Sequence, residues 1–337
     1  MSISCNTRCM NANFTGVQRY TYELLRRFPE KVEQISPSQK FSRGIKGHIW
    51  EQLFLPRKLN GSLLFSPSNT GPVLYKNQIV VLHDIVTIDH PEWFNKKFTS
   101  WYNFLLPKLA NNAKHILTIS DFTKDRIIKK LRISESKISV VHNGVDHSFL
   151  SHQDKKVDLP YQRYILALGS IEPRKNLIRL VQAWNNIKDK LPSDIGLVIA
   201  GKQGNSLIFN NVEFGEKMEN VHFTGYVEEN EMAALYANAL CFCYLSSYEG
   251  FGLPPLEAMA CGCPVIVGNQ TSLPEVVGNA GIQVDPFSII EIENAILNYV
   301  NNDSLIKKYS DLGLTHSRNF NWDITAEKTW KLLKKMS

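Results

Sequence analysis

The chain has 337 residues, 43% hydrophobic and 21% charged, the balance of a globular protein with room for two domains, each large enough for its own core. No apolar run approaches the ~20 residues of a membrane-spanning helix, and the opening MSISCNTRCMNANF lacks the apolar stretch of a secretory signal, so a cytoplasmic location is expected. The net charge of +6 is uneven: residues 1–150 carry 21 Lys+Arg against 11 Asp+Glu, a net +10, which suits an anionic membrane or phosphorylated substrate, while nothing resembles a nucleic-acid-binding module.

Ser2–Asn6 reads as a weak opening strand, Asn11–Gly16 as a turn-rich loop, and Val17–Leu25 has helical spacing. Residues 36–78 are mixed in pattern, with a short strand expected at Ser62–Ser66. Gln78–His83 is a core strand that ends in His83-Asp84. In open α/β sheets ligands sit at the carboxyl ends of strands, so His83 is a candidate donor to a sugar hydroxyl or carbonyl. Asn95–Lys108 is basic, aromatic and helical in spacing. Its aromatics are expected in the core and its lysines in solvent, in preference to a membrane interface. Ile116–Ser120 is the next strand, with Asp121 as expected N-cap of a helix over 122–131, and Ile138–His142 another.

The polar, proline-ended stretch Ser151–Pro160 suits a linker. The chain then divides into 1–152, a linker at 153–162, a second α/β domain at 163–318 and a terminal helical stretch at 319–337. Tyr164–Gly169 is a strand, Ser170–Asn176 a loop, and Leu177–Ile187 a helix. Arg174 and Lys175 at that helix start would complement a diphosphate, Arg by gripping two oxygens and Lys as a point charge. Gly196–Gly201 and Val221–Val227 are further strands. Ala239–Leu245 is a buried strand, followed by a loop with Glu249, Gly250, Phe251 and Gly252. Leu253 and two prolines open a helix through Ala260, where a missing N–H does no harm. Free amides at a helix start favour an anion, typically phosphate, and Glu249 and Glu257 would stand beside it as acceptors for sugar hydroxyls. Cys263–Gly268 is the following strand. Helices are expected at 289–300, 304–312 and from about 322 to 334. The two C-x-C pairs among the six cysteines sit on or beside apolar strands, poor geometry for zinc, and read as small buried residues.

The string E-G-F-G-L-P-P-L-E-A-M-A-C-G-C-P-V-I, with its Glu, seven residues, Glu spacing, resembles the signature of retaining glycosyltransferases of family 4. So do S-L-P-E-V-V-G-N-A-G at 272–281, E-P-R-K-N at 172–176, L-H-D at 82–84, T-I-S-D-F-T with I-S-V-V-H-N-G-V-D, and T-G-V-Q-R-Y-T-Y-E-L-L at 15–25. The look is closest to bacterial mannosyltransferases of polysaccharide and O-antigen assembly. The resemblance implies an α/β chain of GT-B fold, two Rossmann-like domains facing across a cleft, with the last helix crossing back to the first. It implies transfer of a hexosyl unit from a nucleotide-sugar, such as GDP-mannose or a UDP-sugar, to a glycan or lipid-diphosphate-linked acceptor. Some acceptors would place the protein at the inner face of the cytoplasmic membrane. By the same resemblance Glu249 and His83 hold the transferred sugar, and Arg174 and Lys175 the diphosphate beside Ser170. Glu257 holds the ribose, Tyr226 and Val227 meet the nucleobase through backbone, and Gly16 gives ligand access. No D-x-D motif occurs, so no divalent metal and no cofactor beyond the co-substrate are expected. A catalytically silent GT-B-like binder of nucleotide or glycan is the rival reading. An NAD dehydrogenase is disfavoured, because no G-x-G-x-x-G follows the first strand.

Overall fold

A computed structural model of the chain describes residues 2–11, 15–146, 157–169, 173–201 and 218–337. It forms two units, Met1–Gly144 with Phe320–Ser337, and Val145–Asn319. Ser170, residues 12–14 of the first loop and residues 153–156 of the expected linker lie outside the described residues.

In the first unit six strands are named β1 (Ile3–Asn6), β2 (Glu33–Ile35), β3 (Leu63–Ser66), β4 (Gln78–Leu82), β5 (His115–Thr118) and β6 (Ile138–Val140). They form one sheet in the order β2-β1-β3-β4-β5-β6, every pair parallel. A parallel sheet is covered on both faces by its crossover helices, which is why β4, Gln-Ile-Val-Val-Leu, is buried at every position. The helix Asp121–Leu131 starts one residue earlier than its sequence suggests. Ser120, not Asp121, is its N-cap: the hydroxyl accepts from the Thr123 amide at 3.1 Å, and Asp121 occupies the first turn, where its charge favours the dipole.

The helix Trp322–Met336 belongs to this unit although it is last in sequence. It packs on the helix Gly16–Arg27, with Trp322 edge-on to Tyr20 at 6.1 Å and Trp330 against Phe28 at 5.1 Å. Arg27 donates to Asp323 at 2.7 Å, and the Thr325 hydroxyl donates to the His142 carbonyl at 2.8 Å. The backbones touch at Gly144, where a Cβ would stand 2.1 Å from the Trp322 nitrogen, so no other residue fits there.

The second unit holds β7 (Arg163–Leu168), β8 (Ile195–Ala200), β9 (Val221–Gly225), β10 (Cys241–Tyr244), β11 (Val265–Gly268) and β12 (Ile282–Val284). Their order is β12-β11-β10-β7-β8-β9, again all parallel. The first strand of the unit, β7, therefore lies between the second and the fourth, the doubly wound dinucleotide-binding order. Chain order reverses between β7 and β10, where Ile165 is registered against Cys241. Loops leaving two such strands diverge to opposite faces and open a crevice at the carboxyl ends.

The helix Lys96–Asn112 departs from the expectation for it. Leu105, Leu106 and Leu109 supply its core face, while Phe98 and Phe104 are 40% and 51% exposed. Three adjacent leucines already fill the contact with the sheet, so the aromatics are displaced to the outer side. Among the described residues no helix is long and apolar enough to cross a membrane.

Candidate active site

The loops after β7 and β10 meet at the crevice of the second unit. A short turn of 3-10 helix, Pro173–Lys175, follows β7. Asn176 then takes a left-handed conformation, φ +56°, and the helix Leu177–Ile187 begins. Asparagine is among the few side chains that tolerate this region. Here its amide also donates to the Pro286 carbonyl at 2.6 Å and its oxygen accepts from Arg179 at 2.8 Å. On the other side the Ser247 amide donates to the Arg174 carbonyl at 2.7 Å, tying the two loops together.

Three charges and a phenol converge there. Oε1 of Glu249 accepts from Arg174 at 2.9 Å, from Lys175 Nζ at 2.8 Å and from the Tyr244 hydroxyl at 2.9 Å. Lys175 also donates to the Tyr244 oxygen at 2.6 Å, and its ammonium lies 4.8 Å from that ring's centre. Burial opposes the charged form of Glu249, but Lys175 and Arg174 outweigh it and hold the carboxyl below its usual range. Burial likewise works to lower the Lys175 pKa, and the Tyr244 oxygen and the Glu249 carboxylate beside it overcome that effect, so the ammonium is retained. The Tyr244 phenol is pushed up to about 12, by burial and then by Glu249, and stays protonated as a donor. The site thus holds two cations neutralised in part by one carboxylate, and a diphosphate is the kind of ligand that would compete for them. The hydroxyl of Ser246, buried at the same strand end, has no hydrogen-bond partner among the described residues.

The glycine loop is held by Ser272, whose buried hydroxyl is within reach of the carbonyls of Glu249 (2.9 Å) and Phe251 (2.7 Å). Gly250, Phe251 and Gly252 are all buried. Gly252 has φ +107°, and a Cβ on it would come 2.7 Å from Leu273 Cδ2, so this turn requires glycine. The helix Leu253–Ala260 starts here with Pro254 and Pro255 in its first turn. Pro254 and Pro255 take two of the four N–H groups that a helix start leaves without an intrahelical partner, so the amides offered here are those of Gly252 and Leu253, beside the side chains of Arg174 and Lys175. Glu257 is half-buried on this helix, and its charge adds to burial in raising the pKa of Tyr236, whose hydroxyl has no hydrogen-bond partner among the described residues. Tyr226, 68% exposed, and Val227 follow β9, where Gly225 turns with φ +74°. The four cysteines of this unit are buried and unpaired, and burial, with Glu257, pushes the Cys261 thiol up to about 12.

In the first unit His83 follows the end of β4 and is 7% exposed. Its Nε2 lies 2.7 Å from the Pro67 carbonyl, which can only accept, so that nitrogen carries the proton. The ring meets Tyr20 edge-on at 4.9 Å, and the His83 amide donates to Asn69 Oδ1 at 2.6 Å. Burial lowers its pKa to about 4, against the opposing pull of the Pro67 bond. The side chain is a neutral imidazole with Nδ1 left as an acceptor, which revises the expectation of a donor. Gly16 is exposed at the first position of its helix, after the Thr15–Gln18 capping box.

Sequence reasoning missed Tyr244, Ser272 and Asn176. The signal available was position: Tyr244 ends the strand beside the reversal of chain order, where a polar tip on a buried aromatic faces the ligand crevice.

Residues 151–314 match the family described as glycosyl transferases group 1, and residues 73–149 match glycosyltransferase family 4. An O-antigen chain mannosyltransferase B of Escherichia coli is 32% identical over 298 residues, which span 85% of this chain and 78% of that one. The chain belongs to the group 1 glycosyl transferases. The O-antigen chain mannosyltransferase RfbU of Salmonella typhimurium is 30% identical over 257 residues, covering 75% and 69% of the two chains. Among solved structures, WaaG, a glycosyltransferase involved in lipopolysaccharide biosynthesis, superposes with a TM-score of 0.73 over 99% of both chains at 16% identity. Anabaena HepE, solved in complex with UDP and glucose, gives 0.72 over 99% of this chain and 100% of its own, also at 16%. At such identities the likeness is one of fold, and the fold of this glycosyltransferase is GT-B, as its motifs imply.

Proposed function

We propose that this glycosyltransferase moves a hexosyl unit, with retention and without a divalent metal, from a nucleotide-sugar to a sugar hydroxyl in the synthesis of a bacterial surface polysaccharide of O-antigen type. The observation that carries the reading is the pairing of Arg174 and Lys175 with one carboxylate oxygen at the reversal of chain order. A donor diphosphate would take over both cations and supply the negative charge that Glu249 now gives them. Glu249, released, would accept hydrogen bonds from hydroxyls of the transferred sugar.

The reaction balances without a covalent enzyme intermediate. The acceptor oxygen attacks C1 on the face the diphosphate leaves, the C1–O bond to phosphate breaks, and the acceptor proton passes to a phosphate oxygen. Arg174 and Lys175 stabilise the charge that builds on the leaving group, the role a metal ion plays elsewhere. Glu257 is assigned to the ribose, and the backbone at Tyr226 and Val227 to the base. The first unit is assigned the acceptor, a glycan or lipid-diphosphate-linked oligosaccharide, and His83 the transferred sugar. The O-antigen mannosyltransferase relatives favour GDP-mannose as donor, with UDP-sugars as the alternative.

A panel of GDP-, UDP- and dTDP-sugars, followed for thermal stabilisation, hydrolysis and transfer, tests this reading. Stabilisation and turnover by one nucleotide class are expected. Binding of a nucleotide without cleavage of any sugar donor, with or without acceptor, would favour a silent binder instead.

A further inference from the structure

We propose that Tyr244 is a positioning residue of the transfer reaction: its phenol holds the Glu249 carboxylate in place for the transferred sugar once Arg174 and Lys175 have passed to the donor diphosphate. This role rests on the exchange of partners proposed above and concerns the group that stays behind.

Among the described residues three donors reach Oε1 of Glu249, and they differ in what they can do next. Arg174 and Lys175 stand on the short turn Pro173–Lys175, each at the end of a long side chain with several rotatable bonds, so either can swing to a phosphate oxygen. Tyr244 cannot. It ends β10, a strand paired on both sides: Tyr244 is registered against Val267 of β11, and Cys243 against Ala167 of β7. The residue is 2% exposed and its ring stacks on Phe242 with centres 5.7 Å apart, so packing fixes both side-chain torsions. A group carried on a strand holds a site more precisely than one carried on a loop.

The phenol also differs in kind, because it both donates and accepts. Lys175 donates to its oxygen at 2.6 Å, and its own hydrogen goes to Glu249 at 2.9 Å. When Lys175 turns to the diphosphate, the oxygen loses a partner and the bond to the carboxylate remains. That bond then matters more. Burial by itself disfavours the charged carboxyl, and Lys175 and Arg174 are what keep it ionised. A diphosphate draws both cations off and adds negative charge, which favours a proton on Glu249. A protonated carboxyl has a hydrogen in place of one acceptor site for sugar hydroxyls. The phenol, kept protonated by burial and by the Glu249 charge, donates to the ionised form and favours it. At the main chain the Ser272 hydroxyl reaches the Glu249 carbonyl at 2.9 Å, so two uncharged groups hold this glutamate at both ends.

Tyr244→Phe keeps the ring and removes the phenol. Nucleoside diphosphate affinity by calorimetry should stay within about threefold of wild type, since both cations remain, and this also shows that the variant is folded. Turnover should fall on the order of 10- to 100-fold, the scale of a hydrogen bond to a charged group. The acid limb of the kcat–pH profile should move to higher pH, because the donor-bound carboxyl loses a bond to its charged form. In a Glu249→Gln background the same substitution should lower kcat by less than about threefold, since the charge it positions is already gone. A merely structural tyrosine would give equal factors in the two backgrounds, and that result would overturn the proposal. So would a wild-type kcat and pH profile, or nucleoside diphosphate binding weakened as much as by Arg174→Ala, which would place the phenol on the phosphate. Failure of the underlying exchange looks different: Arg174→Ala and Lys175→Ala would then bind nucleoside diphosphate as wild type does, and the role of Tyr244 would fall with it.

Discussion

Replacing Glu249 by glutamine tests whether one carboxylate holds the two cations in waiting. The amide keeps the shape and an acceptor oxygen, so the change isolates the charge. In the native site Oε1 stands 2.9 Å from Arg174 and 2.8 Å from Lys175, with Lys175 and Glu249 only 12% and 11% exposed. At an effective dielectric near 20, unit charges so close attract by roughly 6 kcal/mol, most of it offset by desolvation. Breaking a buried pair from one side destabilises by about 3–5 kcal/mol, and the 27% exposure of Arg174 argues for the low end. A loss of about 3 kcal/mol corresponds to a melting temperature lower by roughly 6–12 °C for a unit of this size. A nucleoside diphosphate no longer has to displace the carboxylate, so its affinity should rise about tenfold, or ~1.4 kcal/mol. Turnover should still fall on the order of 10²–10³-fold, the scale for losing one transition-state contact. Scanning fluorimetry with and without nucleoside diphosphate, titration calorimetry and kcat together read all three. An unchanged melting temperature with weaker nucleotide binding would refute the idea that Glu249 and the diphosphate compete for the same cations.

Arg174→Ala and Lys175→Ala should each weaken nucleoside diphosphate binding by about 1.5–3 kcal/mol, the range for a charge-assisted bond, and calorimetric affinities at the wild-type value would remove both from the site. Glu257→Ala should raise KM for the donor and weaken nucleoside diphosphate binding with a smaller loss of kcat, whereas a pure kcat effect would move Glu257 to the sugar end. Transfer should persist in EDTA, and loss in chelator restored by Mn²⁺ or Mg²⁺ would refute a metal-free leaving group. His83 has its folded pKa lowered from 6.5 to about 4, so the unfolded chain binds more protons between those values and stability falls as pH drops through them. The lost part is roughly 3 kcal/mol below pH 4 relative to pH 7, and melts of His83→Gln from pH 7 to 4 should lose this component of the slope.

Much of the fold was legible because buried parallel strands are written as unbroken apolar runs, as in Gln78–Leu82 and Ile195–Ala200. The edge strand β2 was not: Glu33 and Gln34 are exposed and only Ile35 is buried, so three residues carry one apolar signal. The helix at Gly44–Ile49 was hidden for a related reason. Its apolar stripe is exposed, Gly44 and Gly47 interrupt it, and the widened turn after Trp50 stretches the period. The aromatic residues of Lys96–Asn112 were expected inward because apolar rings usually are, but three leucines had already filled that contact. In the site, charged residues at motif spacing could be picked out one by one. Their mutual pairing could not, since Arg174 and Glu249 are 75 positions apart and meet only through the register of β7 against β10. Tyr244 was read as core for the same reason: its ring is core, and only tertiary placement shows where its hydroxyl ends up.

The helix Trp322–Met336 makes the order of synthesis matter. The stretch 145–319 is continuous, so its sheet can close as soon as β12 has left the ribosome. The first unit, begun earlier, must wait. Tyr20 and the Gly144 backbone, both set against Trp322 in the folded protein, stay uncovered until Trp322–Met336 has emerged as well. Contacts between residues some 300 positions apart, such as Arg27 with Asp323, form last and at the greatest loop-closure cost. The unit translated first is therefore the one completed second, and its half-built apolar surface is the part of the nascent chain most exposed to aggregation or chaperone capture.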